Sequence, residues 1–483
     1  MSEEPSSALA RVASRFTAWT ERWIPDAFVF ALLATFVVLV AGVASRAGHA
    51  GLAAATGEVV GAWGQGFFSA AILKFTIEMA LVIITGYVVA TSPPVGRLIV
   101  RLASLPREPR RAVAMIAIFA MGSSWLNWGF SLVFSAMLAK EVARRVKGVD
   151  YRAAAAASFL GLGSVWAQGL SGSAALQMAT PSALPKDIRA IVAAGDLVPG
   201  GMIPLTKTIF LWQSLLSVVV EIALVTAVMY LATPVGKRAR TAEQMGIDLG
   251  ESPLDRPAPA SKGTPGEALE HSTVPSMLFV VLATAYLVRY FRAASDPLYA
   301  LDLDRINLAF LTIGVALHGT PARLMRAVKE ATPGVWGVIL QFPFYGAIAA
   351  IITTTHLNEH IAHALAKIAG GPAAFPGVIA VYSLVLGVFV PSGGSKWVIE
   401  APYVMQAAHD LKVHLGWMVS VYDLGEALAN LVQPFWMLPI LGLFGLRARD
   451  VMGYTFLVFV VLVPVVLVMV TVFGLTLHYP LAG

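Results

Sequence analysis

A run of 28 uncharged residues, AVAMIAIFAMGSSWLNWGFSLVFSAMLA (112–139), separates two strongly basic segments of the chain. Five arginines lie in the 20 residues before it, and four lysines and arginines lie in the eight residues after it. Basic flanks of this kind mark cytoplasmic loops. A single transmembrane span would place one of the two basic flanks outside the cell. Two full spans would need about 40 residues, more than the run contains. The run therefore predicts a re-entrant hairpin (112–140), here the first hairpin, with its tip at GSSWLNWG (122–129).

A second uncharged run, residues 372–395, has flanks that are poor in lysine and arginine. The same reasoning predicts a second hairpin (372–409) that enters the membrane from the opposite side. Its tip reads PSGGSKW (391–397). Irregular backbone at membrane depth is tolerated only where protein or a polar cavity satisfies its hydrogen bonds. Both tips are therefore candidate parts of a binding site.

The composition also indicates a membrane protein. Of the 483 residues, 57% are hydrophobic and 13% are charged, whereas soluble domains carry about a quarter charged residues. The absence of cysteine excludes a disulfide scaffold, thiolate metal sites and cysteine nucleophiles. The net charge of +6 fits basic cytoplasmic loops, and no nucleic-acid partner is expected.

Further charge-poor runs predict the remaining transmembrane helices. They cover residues 27–44, 71–91, 206–232, 274–292, 305–318, 334–355 and 451–477. The first run is interpreted as a retained helix, because its polar leader is too long for a signal peptide and many spans follow. Arginines in the N-terminal segment (1–22) place that segment in the cytoplasm. A multi-pass protein of the plasma membrane, the inner membrane in bacteria, is expected.

A span interrupted by glycine or proline follows each hairpin. The first broken helix (153–180) contains GLGSVWAQGLSGS, and the second (416–441) contains YDLGEALANLVQP. Each hairpin also follows a short amphipathic segment, at 93–105 and at 357–369. The order of elements in the two halves is therefore the same.

This order predicts an all-α polytopic membrane protein made of two inverted repeats, 23–232 and 305–477. A cytoplasmic linker (233–273) and a connecting helix (274–292) join the repeats. The linker is rich in proline and charge, so it cannot bury enough apolar surface to fold alone. Paired interrupted spans in two inverted halves indicate a secondary transporter with its site near the midplane.

Three motifs of the second half resemble the short-chain fatty acid transporter family, the acetoacetate and butyrate permeases of the ion transporter superfamily. They are PSGGSKW (391–397), DLGEALAN (423–430) and PFWM (434–437), and the resemblance extends over essentially the whole chain. It implies cation-coupled import of short-chain monocarboxylates such as acetate, butyrate and acetoacetate. It also implies an elevator mechanism, a homodimer, and either Na⁺ or H⁺ as the coupling ion. No cofactor is expected, apart from Na⁺ in that role.

A carboxylate at the midplane needs hydrogen-bond donors, which half-helix N-termini and polar tips supply. The candidate substrate-binding residues lie at the two tips and in the first broken helix: Ser123, Ser124, Asn127, Ser171, Ser173, Ser392, Gly393, Gly394, Ser395 and Lys396. The serines and glycines could instead serve only to build tight turns. Lys396 could offset the carboxylate charge, or it could pair with Glu400 one helical turn further on.

Ionisable groups at membrane depth are functional candidates. The candidate coupling-ion residues lie together in the second broken helix: Asp423, Glu426, Asn430 and Gln433. Asp423 could instead cap the half-helix that follows it. Gln168 holds the matching place in the first half, Glu221 has no obvious partner, and Lys74 and Glu78 are expected to neutralise each other.

Other functions remain open at this point. A related organic-anion carrier or exchanger would show the same pattern. GLSG (169–172) resembles an intramembrane serine hydrolase motif, and HLNEH (356–360) fits a zinc-hydrolase pattern. However, only His318 comes near a span as a base for the serine, and HLNEH lies in an amphipathic stretch away from the tips. The expectation is a transporter that is not an enzyme and has no metal site.

Overall fold

The computed structural model of the protein describes residues 22, 27–250, 252, 263–298, 300–390, 393–433 and 436–481. The described chain consists of helices and short connections, so the predicted all-α class is confirmed. Among the described residues, six helical stretches are long and apolar enough to cross a bilayer. One buried apolar core extends through both halves.

The helices of the first half are α1 (Ala27–Ala50), α2 (Leu52–Phe67), α3 (Ala70–Ala90), α4 (Pro93–Ala103), α5 (Pro109–Leu126), α6 (Trp128–Arg145), α7 (Tyr151–Phe159), α8 (Ser173–Ala179), α9 (Lys186–Val192) and α10 (Trp212–Ala232). The remaining helices are α11 (Pro265–Glu270), α12 (Val274–Ala293), α13 (Leu303–His318), α14 (Pro321–Ala331), α15 (Trp336–Thr354), α16 (Leu357–Ala369), α17 (Phe375–Phe389), α18 (Gly393–Asp410), α19 (Leu415–Ala429), α20 (Leu438–Phe444) and α21 (Ala448–Gly474). The predicted order of span, amphipathic helix, hairpin, broken helix and unbroken helix occurs in both halves. The inverted orientation of the halves stays a prediction.

The first hairpin consists of α5 and α6, which pack against each other. The two helices meet at Asn127, whose backbone is extended (φ −160°, ψ 118°). The Asn127 side chain accepts a hydrogen bond of 2.8 Å from the backbone N–H of Phe130, so it caps α6. The break therefore lies at one residue within the predicted tip, and Ser123 and Ser124 lie in the last turn of α5.

The second hairpin has arms that diverge. Helix α17 packs along α19 and makes little contact with α18, its partner in the hairpin. Helix α18 begins at Gly393, so Lys396 and Trp397 of the predicted tip lie in its first turns. Residues 391–392 of that tip are outside the described residues. The uncharged run therefore predicts the break between α17 and α18 but not the packing of these two helices.

Helix α2 was not predicted. Its sequence contains Glu58 and four glycines, which hide the apolar periodicity of a span. Helix α2 packs against α15, and Gly66 is the glycine at the contact. A Cβ atom built on Gly66 would lie 2.5 Å from Ala350 Cβ and 2.6 Å from the Gly346 carbonyl oxygen, so only glycine fits this contact.

The first part of the predicted linker is docked onto the protein. The Tyr151 backbone N–H donates to the Arg240 carbonyl (2.9 Å), and the Arg240 N–H donates to Asp150 Oδ2 (3.0 Å). The Arg144 guanidinium donates to the Leu249 carbonyl at 2.7 Å. These bonds fasten the segment to the base of the first hairpin and the start of α7.

Asp150→Ala is expected to lower the free energy of unfolding by about 3–5 kcal/mol, as for other broken buried ion pairs. Asp150 is fully buried, and it accepts bonds from the Arg152 side chain (2.7 Å) and the Ala153 N–H (2.9 Å). Glu108→Ala is the matched control, because Glu108 and Arg111 form an exposed pair at 3.1 Å, worth about 0–1 kcal/mol. Thermal unfolding in detergent measures both, and equal losses would contradict the expectation.

Candidate functional site

A cavity, here the central cavity, lies where both hairpins, both broken helices, α3 and α15 meet. Its lining residues are Met79, Trp128, Leu162, Trp166, Ser173, Val338, Phe342, Gly393, Gly394, Asn430 and Trp436. Four of the predicted candidates, Ser173, Gly393, Gly394 and Asn430, are among them. Residues far apart in the sequence are thus brought to one place by the two interrupted halves.

The first broken helix is joined to the first hairpin tip by hydrogen bonds. Between α7 and α8 the chain forms turns that include a 3₁₀ segment, Trp166–Gln168. The Leu170 N–H donates to the Trp125 carbonyl (2.7 Å), and the Trp128 N–H donates to Ser171 Oγ (2.9 Å). Ser171 therefore holds the start of α6 in place, and no described histidine is hydrogen-bonded to it.

Three indole rings form one side of the central cavity. The Trp128 ring makes edge-to-face contacts with Trp166, at a centroid distance of 6.2 Å, and with Trp436, at 5.5 Å. Such aromatic pairs are favourable beyond the area that they bury. The rings link the first tip to both broken helices.

The second hairpin tip approaches the first broken helix very closely. A Cβ atom built on Gly394 would lie 3.0 Å from Ser173 Cβ and 3.3 Å from Phe342 Cζ. Glycine therefore allows the start of α18 to reach both α8 and α15. The first N–H groups of a helix have no intrahelical acceptor, so α18 brings free donors to this part of the cavity.

Buried donor groups near the central cavity lack partners among the described residues. They are Asn127 Nδ2 and the indole Nε1 atoms of Trp128 and Trp166. A buried polar group without a partner costs about 1–3 kcal/mol, and native proteins leave few of them. Trp128 and Trp166 line the cavity, so their indole N–H groups are candidate donors to an anionic ligand.

A buried charged cluster lies beside the cavity and is called the acidic cluster: Lys396, Glu400, Asp423 and Glu426. Lys396 Nζ lies 2.9 Å from Glu400 Oε1 and 2.9 Å from Glu426 Oε2. It also donates to the Ser383 carbonyl at 2.9 Å. The expected pairing of Lys396 with Glu400 is observed, and Glu426 is a second partner. Lys396 therefore links α18 to α19.

Asp423 is the remaining carboxyl group of the acidic cluster. It is 2% exposed, and its Oδ2 atom has no hydrogen-bond partner among the described residues. It interacts electrostatically with Glu426 and Lys396. One lysine faces three carboxyl groups, so the cluster would carry a charge of −2 with every group ionised. Burial of uncompensated charge is costly, so this cluster favours a bound proton or cation.

Asn430 connects the two broken helices. Its Nδ2 donates to the Leu162 carbonyl at 2.9 Å, and its Oδ1 accepts from Gln433 Nε2 at 2.8 Å. Asn430 lines the central cavity. Gln433 is not a lining residue, but it is hydrogen-bonded to Asn430. Of the four coupling-ion candidates, Asp423 and Glu426 belong to the acidic cluster. Asn430 and Gln433 follow Glu426 by about one and two helical turns along the chain.

Several other candidates have different surroundings. Ser123 Oγ donates to the Phe119 carbonyl of its own helix at 2.5 Å. Ser124 is fully buried, and its Oγ is unpaired among the described residues. Ser392 and the side chain of Ser395 are outside what the structure describes.

Lys74 and Glu78, which were expected to neutralise each other, interact electrostatically, but their direct partners are different. Lys74 Nζ binds Asp304 Oδ2 at 2.9 Å, and Glu78 Oε2 accepts from Asn307 Nδ2 at 2.6 Å. Both partners lie on α13, which packs against α3. Glu221, for which the sequence offered no partner, accepts a bond of 2.7 Å from Gln168 Nε2 in the first broken helix.

The apolar side of the cavity was missed by the sequence analysis. Met79 on α3 and Val338 and Phe342 on α15 line it. In the sequence they lie in apolar runs like those of lipid-facing helices. The one available signal was Pro343, a proline inside α15 directly after Phe342.

Two solved transporters share this fold. The YdaH transporter of Alcanivorax borkumensis gives a TM-score of 0.60 at 15% identity, covering 95% of this chain and 100% of its own. MtrF of Neisseria gonorrhoeae, described with a class of antimetabolite efflux pumps, gives 0.62 at 12% identity, covering 97% and 98%. The chain thus has the fold of these two proteins.

The sequence comparisons identify the family. The short chain fatty acid transporter family matches residues 8–474. Proteins named for short-chain fatty acid transport are 32% identical to this chain in Escherichia coli (strain K12), over 92% of this chain and 96% of theirs, and in Haemophilus influenzae (strain Rd), over 95% and 99%. The chain belongs to the short-chain fatty acid transporter family, as its motifs suggested, and is a multi-pass protein of the bacterial inner membrane.

Proposed function

We propose that the protein imports short-chain monocarboxylates such as acetate, butyrate and acetoacetate by secondary active transport coupled to Na⁺ or H⁺. The observation that carries this proposal is the central cavity, where both hairpins and both broken helices meet beside the acidic cluster. Interrupted helices that converge on one site are expected of secondary transporters. Family membership supports the substrate class.

The cavity offers what a small carboxylate needs, which is donors for its oxygens and apolar space for its tail. The proposed donors are Asn127 Nδ2, the indole N–H groups of Trp128 and Trp166, Ser173 Oγ and the opening N–H groups of α18. The positive end of the α18 dipole also favours an anion. Ser123 and Lys396 are bonded to other protein groups, so we assign them a supporting role around the substrate site.

The acidic cluster is the proposed coupling-ion site. A proton on Asp423 or Glu426 would lower its negative charge, and a sodium ion bound by Asp423 and nearby oxygens would do the same. Either ion would also reduce repulsion between the cluster and an anionic substrate in the adjacent cavity. Binding of the cation would thus favour binding of the carboxylate, which is the basis of symport.

The proposed motion is of the elevator type, in a homodimer. Hydrogen bonds such as Trp128 to Ser171 and Asn430 to Leu162 join the hairpins and broken helices to one another. In contrast, α3 and α15 meet the cavity through the apolar side chains of Met79, Val338 and Phe342. Apolar contacts are non-directional, so this boundary is the natural sliding surface.

Cysteine labelling tests alternating access, and the natural chain contains no cysteine to interfere. Single cysteines at 123–127 and at 392–395 are expected to react from opposite sides of the membrane, and butyrate is expected to slow both reactions. A cysteine at Ile339, whose side chain is 46% exposed on α15, is the control that butyrate leaves unchanged. Reaction of both tips from one side under all conditions would contradict the mechanism.

An outward-directed carrier or an exchanger is the second candidate, because MtrF is described with efflux pumps. Exchange of labelled butyrate without net accumulation would favour it. A serine hydrolase has less support, since the family is one of transporters and Ser171 Oγ accepts the Trp128 N–H. Serine-dependent peptide cleavage that is lost in Ser171→Ala would nevertheless establish it.

A further inference from the structure

The central cavity has two chemically different sides. Its polar groups come from the second tip and the broken helices, namely Gly393, Gly394, Ser173 and Asn430. Helices α3 and α15 contribute only apolar side chains to its lining, those of Met79, Val338 and Phe342. Under the proposed function, this division orients a monocarboxylate with its carboxylate toward α18 and its hydrocarbon tail toward α3 and α15.

Phe342 is the aromatic residue of the apolar side, and it lies beside the first turn of α18. Its Cζ would be 3.3 Å from a Cβ built on Gly394, so the ring closes the space next to the first turn of α18. The ring is 5% exposed and packs on Phe75 at a centroid distance of 5.6 Å. The packing of α3 on α15 therefore holds the ring in place.

We propose that Phe342, together with Val338 and Met79, sets the longest acyl chain that the transporter accepts. This inference rests on the proposed function and adds the residues that determine its specificity. Aromatic and aliphatic side chains held in a packed helix pair cannot yield to a longer tail without strain. Each methylene that finds space in an apolar pocket contributes about 0.8 kcal/mol, or about fourfold in affinity.

The test measures binding of butyrate and hexanoate by thermal shift and by competition with labelled butyrate. Wild type is expected to prefer butyrate. Phe342→Ala is expected to raise the ratio of hexanoate to butyrate affinity by about fifteenfold, for two additional methylenes. Phe342→Leu, a milder change that protects against failure to fold, is expected to give a smaller rise. Val338→Phe is expected to shift the preference toward acetate.

Ile339→Ala and Leu340→Ala are matched controls on the same helix, because both side chains are about half exposed, at 46% and 45%. Their affinity ratios are expected to equal that of wild type. An unchanged ratio in Phe342→Ala and Phe342→Leu, with butyrate still bound, would overturn the chain-length inference alone. Absence of binding of every short-chain acid to wild type would overturn the proposed function, and this inference with it.

Discussion

Lys396→Ala is expected to abolish uptake and to destabilise the protein by about 3–5 kcal/mol, as when one partner of a buried ion pair is removed. The substitution leaves Glu400 and Glu426 buried without their cation, and it breaks the link between α18 and α19. Lys396 is fully buried, so water cannot replace the lost contacts. Uptake in vesicles and thermal unfolding in detergent measure the two effects.

Lys74→Ala is the matched control for that experiment. Lys74 also pairs with a carboxylate at 2.9 Å, that of Asp304, but both side chains are about one-third exposed, so a loss of about 0–1 kcal/mol is expected. The double variant Lys396→Met, Glu400→Gln replaces one buried pair by neutral groups and is expected to regain part of the stability. Recovery of stability without recovery of uptake would assign Lys396 a role in transport. Wild-type uptake and stability in Lys396→Ala would contradict the role of the cluster.

Asp423→Asn is expected to uncouple substrate movement from the cation. The amide resembles a protonated carboxyl group that cannot release its proton. If H⁺ is the coupling ion, the variant should still exchange butyrate across the membrane but lose accumulation driven by a pH gradient. A gradient of about one pH unit supplies about 1.4 kcal/mol per proton, or about tenfold accumulation, and that is the expected loss.

Sodium coupling gives a different result in the same variants. Asp423→Asn and Glu426→Gln would then weaken the dependence of uptake on Na⁺, while the response to a pH gradient would stay at the wild-type level. Gln406→Ala is the control for these variants, since Gln406 contacts Asp410 at the far end of α18. Gln433→Glu would be unsuitable as a control because it adds a charge. Wild-type coupling in both carboxyl variants would exclude the acidic cluster as the ion site.

The hairpins and broken helices could be predicted because their signals are local. Lengths of uncharged runs and basic flanks require a turn within the membrane, and closely spaced glycine, proline and polar residues mark the two interrupted spans. Asn127 lies at the break of the first hairpin, and Asn430 lies in the wall of the central cavity. Both belong to sequence motifs that were selected as candidate sites. Both residues could be chosen from the sequence alone, because each is a polar residue within an interrupted segment.

Contacts between distant segments could not be predicted in the same way. Lys74 and Glu78 have the spacing of a helical pair, but α13 supplies stronger partners, Asp304 and Asn307. Helix α2 was not predicted because Glu58 and four glycines interrupt its apolar pattern. Met79, Val338 and Phe342 look like lipid-facing residues, since hydropathy alone does not separate a cavity wall from a lipid surface.

Accumulation of labelled butyrate by the purified protein in proteoliposomes tests the central claim most directly. An imposed Na⁺ gradient and an imposed pH gradient are applied separately, with acetate, acetoacetate and a dicarboxylate as competitors. We expect saturable accumulation driven by one of the two gradients, competition by the monocarboxylates, and none by the dicarboxylate. The proposed transport function would be contradicted if folded protein, shown by cooperative unfolding, neither accumulated nor exchanged butyrate under either gradient.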